Sequence, residues 1–427
     1  MSMRESITPE LLSRYRELVE PKKKLRKKGS RGMVIFFIIC MIIGVFIGAG
    51  IPILGDMGVF EVDIIPPFKV KKSLAFIYPV VFVLFYFVTV ILHTVIHEGG
   101  HMVFGLWTGY RFLSFRVCSL TIVKKEGKLV RKKLKVPGTL GQCLMYPPEW
   151  KDNEEYPYVW YNLGGGLMNF VFCGLSVPLF FLHSPLVSWA TGIFVFTGVV
   201  FGICNLVPMS LGLPNDGKNC LLCGKDRENQ KAFYAQLKTN AMLSDGAMVT
   251  DLPEELLCVG EGKTVNSLNA FPRLMRVYQH LVFGEEEKAE SCLAELEAGM
   301  DKLPVAFANT FDLERLYFLL LQGAPVEKVA AYYAVLQPVF LQVKDISVLR
   351  VKYVYYLFLS DEERETVEWL IRSKKGKLPK KLPKQKKPLT AEKIFESMET
   401  AYAKHPVIGE AELHMGMVRG LAKNTTI

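Results

Sequence analysis

An apolar run that begins near Leu74 ends in His97-Glu98-Gly99-Gly100-His101. Few segments constrain a fold more tightly, because backbone polar groups inside a bilayer find no water and must be satisfied within a helix. At ~1.5 Å per residue the stretch from Leu74 to His97 covers about 35 Å, which sets the histidines near the exit of the span. On a helix, positions 97 and 101 lie one turn apart on one face, so both imidazoles can reach one metal ion while Glu98 lies beside an open coordination position. H-E-x-x-H alone recurs by chance in soluble helices. Two histidines and a glutamate near lipid are costly, however, and their retention there points to a partner such as a metal.

Three further runs have span character: Met33 to about Ile53, Tyr161 to about His183, and Val187 to about Pro208. Lys22, Lys23, Lys24, Arg26, Lys27, Lys28 and Arg31 crowd before the first of them, and a second basic stretch covers Lys124 to Lys135. Such segments beside spans fix topology and face anionic lipid, which assigns both chain ends and the loop from Tyr110 to Pro137 to the cytoplasm. The net charge of +10 also admits nucleic acid as a ligand, but its placement favours the lipid bilayer, and no nucleic-acid partner is expected. The first apolar run is long, starts only at Met33 and shows no small-x-small cleavage site, so it reads as a retained anchor and not a signal peptide. The unsplit four-span core suggests a bacterial plasma membrane.

The fold class expected is an α-helical polytopic membrane protein with about four transmembrane helices and a small cytoplasmic-side β-hairpin, followed by an all-α cytoplasmic domain. Its divisions are a basic N-terminal segment 1–32, a transmembrane core 33–217 with spans at about 33–53, 74–105, 161–183 and 187–208, a helical domain 218–372, a Lys/Pro-rich linker 373–390, and a C-terminal helical segment 391–427. Thr8-Pro9-Glu10 starts a helix, with Thr8 as N-cap and Pro9 at N1. Leu11, Leu12, Tyr15, Leu18 and Val19 then follow helical spacing, which fits an amphipathic helix on the membrane surface. Leu113, Phe115 and Val117 alternate with Phe112, Ser114 and Arg116, and Glu126-Gly127 makes a turn before Leu129-Val130, predicting the hairpin. Leu313, Leu316, Tyr317 and Leu320 form a helix face that Gly323 can cap, and Pro325 opens the next helix. This α-hairpin is of the kind stacked in tetratricopeptide-like solenoids, although no fixed period recurs.

A zinc hydrolase needs three protein ligands, an open position for water, and a carboxylate to take the proton from that water. His97, His101 and Glu98 supply all but one ligand. His93 lies one turn earlier, but it is about 12 Å from His101 along a helix axis and cannot share a metal with it, so it is assigned to support or packing. The missing ligand should be an acid returned to the same depth by another span, and Asp216, in the turn Pro214-Asn215-Asp216-Gly217, is the candidate. Taken alone that turn is chemically ordinary. Among the nine cysteines no disulfide framework is legible, and Cys220-x-x-Cys223 lacks the second pair that a zinc knuckle requires. His280, His405 and His414 are isolated and read as ordinary surface or core residues.

Together these residues resemble the site-2 protease family of intramembrane zinc metalloproteases. His97-Glu98-x-x-His101 is similar to the family's first motif, and Asn205-Leu206-x-Pro208 leading to Asp216-Gly217 to its second, which carries the third ligand. Gly165-Gly166-Leu167-Met168-Asn169 keeps the glycine and asparagine of the family's Gly-Pro-x-x-Asn element but has Gly166 in place of proline. The segment between Pro208 and Asp216 is longer than usual, with Asn215 where leucine is common. The resemblance covers about a third of the chain, roughly Leu74 to Gly217. It implies Zn²⁺ held by His97, His101 and Asp216, with Glu98 as catalytic base and acid, Asn169 as a substrate-binding residue, and an edge strand in the hairpin offered to an unwound membrane protein or peptide substrate. A rival reading is a catalytically silent scaffold or receptor whose helical domain binds a protein partner. A third is a zinc enzyme acting on a small lipid-phase molecule.

Overall fold

The computed structural model describes residues 7–26, 77–125, 127–133, 140–182, 184–210, 213–262, 264–373, 376–379, 381–382, 389–405 and 407–424. The expected first span, 33–53, lies outside these residues. The chain divides into two compact units, one of residues 32–241 and the other of residues 1–31 with 242–427.

Among the described residues of the first unit, three helices are long and apolar enough to cross a membrane: Val80–Trp107, Tyr158–Leu182 and Pro185–Leu206. They correspond to the second, third and fourth expected spans, and their presence makes the protein membrane-associated. The motif helix, Ile77–Trp107, turns Leu84, Phe87 and Trp107 outward; the middle helix, Tyr158–Ser176, does the same with Leu175. Outward apolar side chains suit a lipid solvent, where helix contacts depend on close packing and not on water exclusion. Glycines supply that closeness: a Cβ at Gly100 would overlap the Gly164 carbonyl, so these two residues set the crossing of motif and middle helices. Hydroxyls at this depth turn back on their own helices, Thr94 to the Val90 carbonyl at 2.8 Å and Thr197 to that of Ile193 at 2.7 Å.

After the motif helix comes a four-stranded antiparallel sheet of order β3-β2-β1-β4, comprising β1 Arg111–Val117, β2 Leu120–Lys125, β3 Lys128–Lys133 and β4 Gly141–Tyr146. The expected hairpin is present as the β1–β2–β3 ribbon, and β4 extends it on the other side of β1. That fourth strand escapes a period-two reading because Gly141-Gln142-Cys143-Leu144-Met145-Tyr146 places apolar side chains on both faces, with Cys143, Leu144 and Met145 all buried. The helix Arg227–Asp245 begins within this same unit, where Tyr234 and Lys238 hold Glu149 at 3.0 and 2.5 Å. The division at 241/242 therefore falls inside that helix, later than the boundary expected at 217.

The second unit is helical, from Ala270–Val282 to Ile408–Asn424. Val305–Leu321 packs on Val326–Gln342 and on Ile346–Phe358, while Ile346–Phe358 also packs on Ala391–Lys404 and Ile408–Asn424. The face of Leu313, Leu316, Tyr317 and Leu320 is buried as expected, and Gly323 takes φ +60° to end its helix. The segment 391–424 is thus part of this core and not an appendage.

The N-terminal helix, residues 9–26, starts as expected, with the Leu11 amide bonded to Thr8 Oγ1 at 3.2 Å. Its location corrects the membrane-surface expectation. Tyr15 and Val19, each 1 % exposed, join Leu316, Leu320 and Val329 in the core of the helical unit. Lys22 and Arg26, assigned from sequence to lipid headgroups, instead contact the fully buried Asp312 at 2.6 and 2.8 Å. Helical periodicity shows that one face needs an apolar neighbour, but it does not distinguish lipid from protein. A buried carboxylate on Val305–Leu321 requires cations, and these two supply them.

Candidate metal centre

His97 and His101 lie on the motif helix one turn apart, both buried, with Nε2 atoms 3.1 Å from each other. Asp216 Oδ2 approaches these atoms at 3.3 and 3.4 Å. A tetrahedral ion with bonds of about 2.0–2.1 Å holds its ligand atoms roughly 3.3–3.4 Å apart, so the triangle has the size of a tetrahedral face.

The second contacts of the imidazoles fix which nitrogen is bare. His101 Nδ1 lies 2.7 Å from the Tyr161 carbonyl, which only accepts, so Nδ1 carries the proton and Nε2 a lone pair. His97 Nδ1 lies 3.3 Å from Asn169 Oδ1 and donates likewise. Two imidazole lone pairs and a carboxylate oxygen therefore face one another, an arrangement that is repulsive without a cation among them. Asp216 Oδ2 is buried and accepts no hydrogen bond of ordinary geometry, which leaves it open to a metal. His97, His101 and Asp216 form a cluster able to hold a metal ion.

Glycines clear the space for this cluster. A Cβ at Gly165 would come within 2.5 Å of His101 Nε2 and 2.6 Å of His97 Cε1. Gly100 serves the helix crossing, and Gly165, on the facing helix, is the residue that opens the site. Glu98, 8 % exposed, is flanked by β4, where a Cβ at Gly141 would overlap its carboxylate and the Cys143 amide turns toward it.

Asp216 opens the short helix Asp216–Cys223 and is carried there by Asn215. Asn215 Oδ1 accepts from the Lys218 amide at 2.9 Å as N-cap and from the Met209 amide at 3.0 Å, while its Nδ2 donates to the carbonyls of Cys204 at 2.7 Å and Val207 at 2.6 Å. Four bonds from one side chain tie the end of the return helix, Pro185–Leu206, to the ligand. Gly217 has no room for a side chain, since a Cβ there would overlap the Leu206 carbonyl.

Compared with protein-family models, curated proteins and solved structures, the chain matches none. The case for the site therefore rests on its own geometry. Asn169, assigned from sequence to substrate, is fully buried, and its side chain is engaged by His97 and His93. His93 lies outside the ligand triangle, as the axial spacing requires. Cys220 and Cys223 carry free thiols, both with pKa raised by burial. The Tyr161 carbonyl and Gly141 had no sequence signal of their own, because one is a backbone atom and the other precedes a strand without alternation.

Proposed function

We propose that this chain is an intramembrane zinc-dependent endopeptidase, similar in mechanism to the site-2 protease family, acting on a membrane-embedded or membrane-adjacent polypeptide near the cytoplasmic face. The observation that carries this reading is the triangle of His97 Nε2, His101 Nε2 and Asp216 Oδ2, with the Glu98 carboxylate on the next residue of the same helix. Zinc suits a borderline two-nitrogen, one-oxygen donor set and, when bound, supplies Lewis acidity to a water and to the scissile carbonyl. Glu98 accepts the proton of that water and delivers it to the departing amine. Its enclosure beside Gly141 keeps the carboxylate on the side of the site where β4 runs.

A peptide substrate is favoured over a small lipid-phase molecule by β4, which pairs with β1 on one side and, among the described residues, with no strand on the other. An unwound segment can add to such an edge and so meet the requirement that its backbone groups be bonded. The strand next to Glu98 is β4, so the presenting edge is assigned there and not to the β2–β3 ribbon.

Residues 9–26 and 242–424 belong to one unit, so an even number of crossings separates them. Three candidate spans are described, and the apolar run 33–53 brings the count to four, with both ends cytoplasmic by the charge rule. The helical unit then serves as a cytoplasmic, tetratricopeptide-like partner-binding or regulatory domain, in a bacterial plasma membrane.

The test is Glu98→Gln in purified protein: zinc content equal to that of the unaltered chain, with cleavage of co-expressed single-span polypeptides abolished. Undiminished cleavage would refute the hydrolytic role of Glu98, and absence of zinc from both proteins would favour the scaffold.

A further inference from the structure

One buried group is not used by that chemistry. His93 is 0 % exposed and sits where three helices meet. Its Nε2 lies 2.8 Å from the carbonyl of Phe194 on the return helix, and its ring packs 4.2 Å from that of Phe194. On the third side Asn169 Nδ2 lies 3.0 Å from His93 Nδ1 and 3.0 Å from the His93 carbonyl. Space for the imidazole is made by Gly198, where a Cβ would overlap His93 Cε1 and Cys173 Sγ.

The protons in this chain have one consistent order. The Phe194 carbonyl only accepts, so His93 Nε2 carries the proton and Nδ1 is a lone pair. That lone pair and the His93 carbonyl take both protons of the Asn169 amide. Asn169 Oδ1 is thereby turned to His97 and accepts its Nδ1 proton at 3.3 Å, leaving His97 Nε2 bare toward Asp216. A reversed amide would present N–H to His97 Nδ1 and place the proton on the nitrogen that faces the metal site.

We propose that His93 is a positioning residue for the metal centre: through Asn169 it fixes the tautomer of the ligand His97, and so couples the return helix to metal binding. This rests on the metal reading above, and its test keeps the two apart. Metal affinity of the full-length protein in detergent is measured by chelator competition with Zn²⁺, and the visible absorption of the Co²⁺-loaded protein reports ligand geometry. His93→Leu, which fills space but offers no acceptor, weakens Zn²⁺ binding by roughly 10–100-fold and alters the Co²⁺ bands. His93→Gln, with a donor for Phe194 and an acceptor for Asn169, restores affinity to within a few-fold. Asn169→Leu has a loss of similar size, and His93→Leu combined with Asn169→Leu binds no more weakly than Asn169→Leu alone, because His93 acts through Asn169.

If His93 were only packing, Leu would match or exceed Gln in this apolar setting; that order, or additive losses in the double variant, overturns the proposal. Where His93→Leu fails to fold, His93→Phe, which keeps the ring against Phe194, takes its place in the same comparison. An unaltered chain that binds neither ion overturns the metal reading itself and this proposal with it.

Discussion

At the scale of single residues, the site is defined as much by missing side chains as by those present. Gly165 faces His97 and His101 and Gly141 faces the Glu98 carboxylate, so under the proposed function alanine at each perturbs a different step. Gly165→Ala is expected to weaken zinc binding by roughly 10–100-fold or more, since the added methyl displaces His97 and His101 directly. Gly141→Ala is expected to retain zinc while lowering kcat by roughly 100-fold, the scale of a misplaced general base. Metal analysis and turnover on the same preparations separate the two, and equal metal loss in both variants would contradict the assignment. A second residue-scale expectation concerns His414, buried at 1 % exposure beside Tyr278, with Nδ1 unpartnered. Burial, then repulsion from Arg350 and His405 against attraction by Asp345, lowers its pKa well below 6.5. The folded chain stays neutral there while the unfolded chain takes up a proton, so the stability of the helical unit is lost as pH falls below about 6.5, by up to about 1.4 kcal/mol per pH unit. His405, raised by Asp345 and Glu410 against burial, has the opposite slope and acts as pH rises above that value. His414→Leu should flatten only the acid limb in denaturant titrations of the full chain from pH 6.5 to 5; an unchanged slope would contradict this account of His414.

At the scale of elements, the N-terminal helix is where local and tertiary signals part. Its start was legible from Thr8 and Pro9, because capping is a matter of neighbouring residues. Its partner was not, because Asp312, which binds Lys22 and Arg26, lies 290 and 286 residues away in the chain. Asp312→Ala removes the anion from two partly buried cations, and a loss of about 3 kcal/mol is expected, at the low end for a buried pair because both cations keep some contact with solvent. Hydrogen exchange should show protection lost first in residues 9–26; unchanged protection there would contradict the role given to Asp312. The candidate metal ligands were more legible than this helix. His97 and His101 are set by helical spacing alone, and Asp216 by the returning span that brings an acid to the depth of the histidines. The β4 strand and the inward turn of Asn169 depend on which face meets which helix, and periodicity does not encode that.

At the scale of the whole molecule, a unit assembled from residues 1–31 and 242–427 encloses the other unit in sequence, and the proposed four-span topology expects residues 9–26 and 242–424 on one side of the bilayer. Cysteines placed at the exposed Glu17 and Lys393 should react with a membrane-impermeant maleimide from the same face of sealed vesicles. Labelling from opposite faces would break the even count of crossings. The three candidate spans would then bring His97 and Asp216 to a common depth without placing that depth at the cytoplasmic end. Everything proposed for hydrolysis depends in turn on one arrangement, two imidazoles and one carboxylate around a single ion. Zinc-edge X-ray absorption on the purified protein tests it most directly. A stoichiometric zinc with two imidazoles and one carboxylate oxygen at about 2.0–2.1 Å, completed by a light-atom ligand such as water, is the predicted result. A zinc shell containing cysteine sulfur, or no stoichiometric zinc, would contradict it.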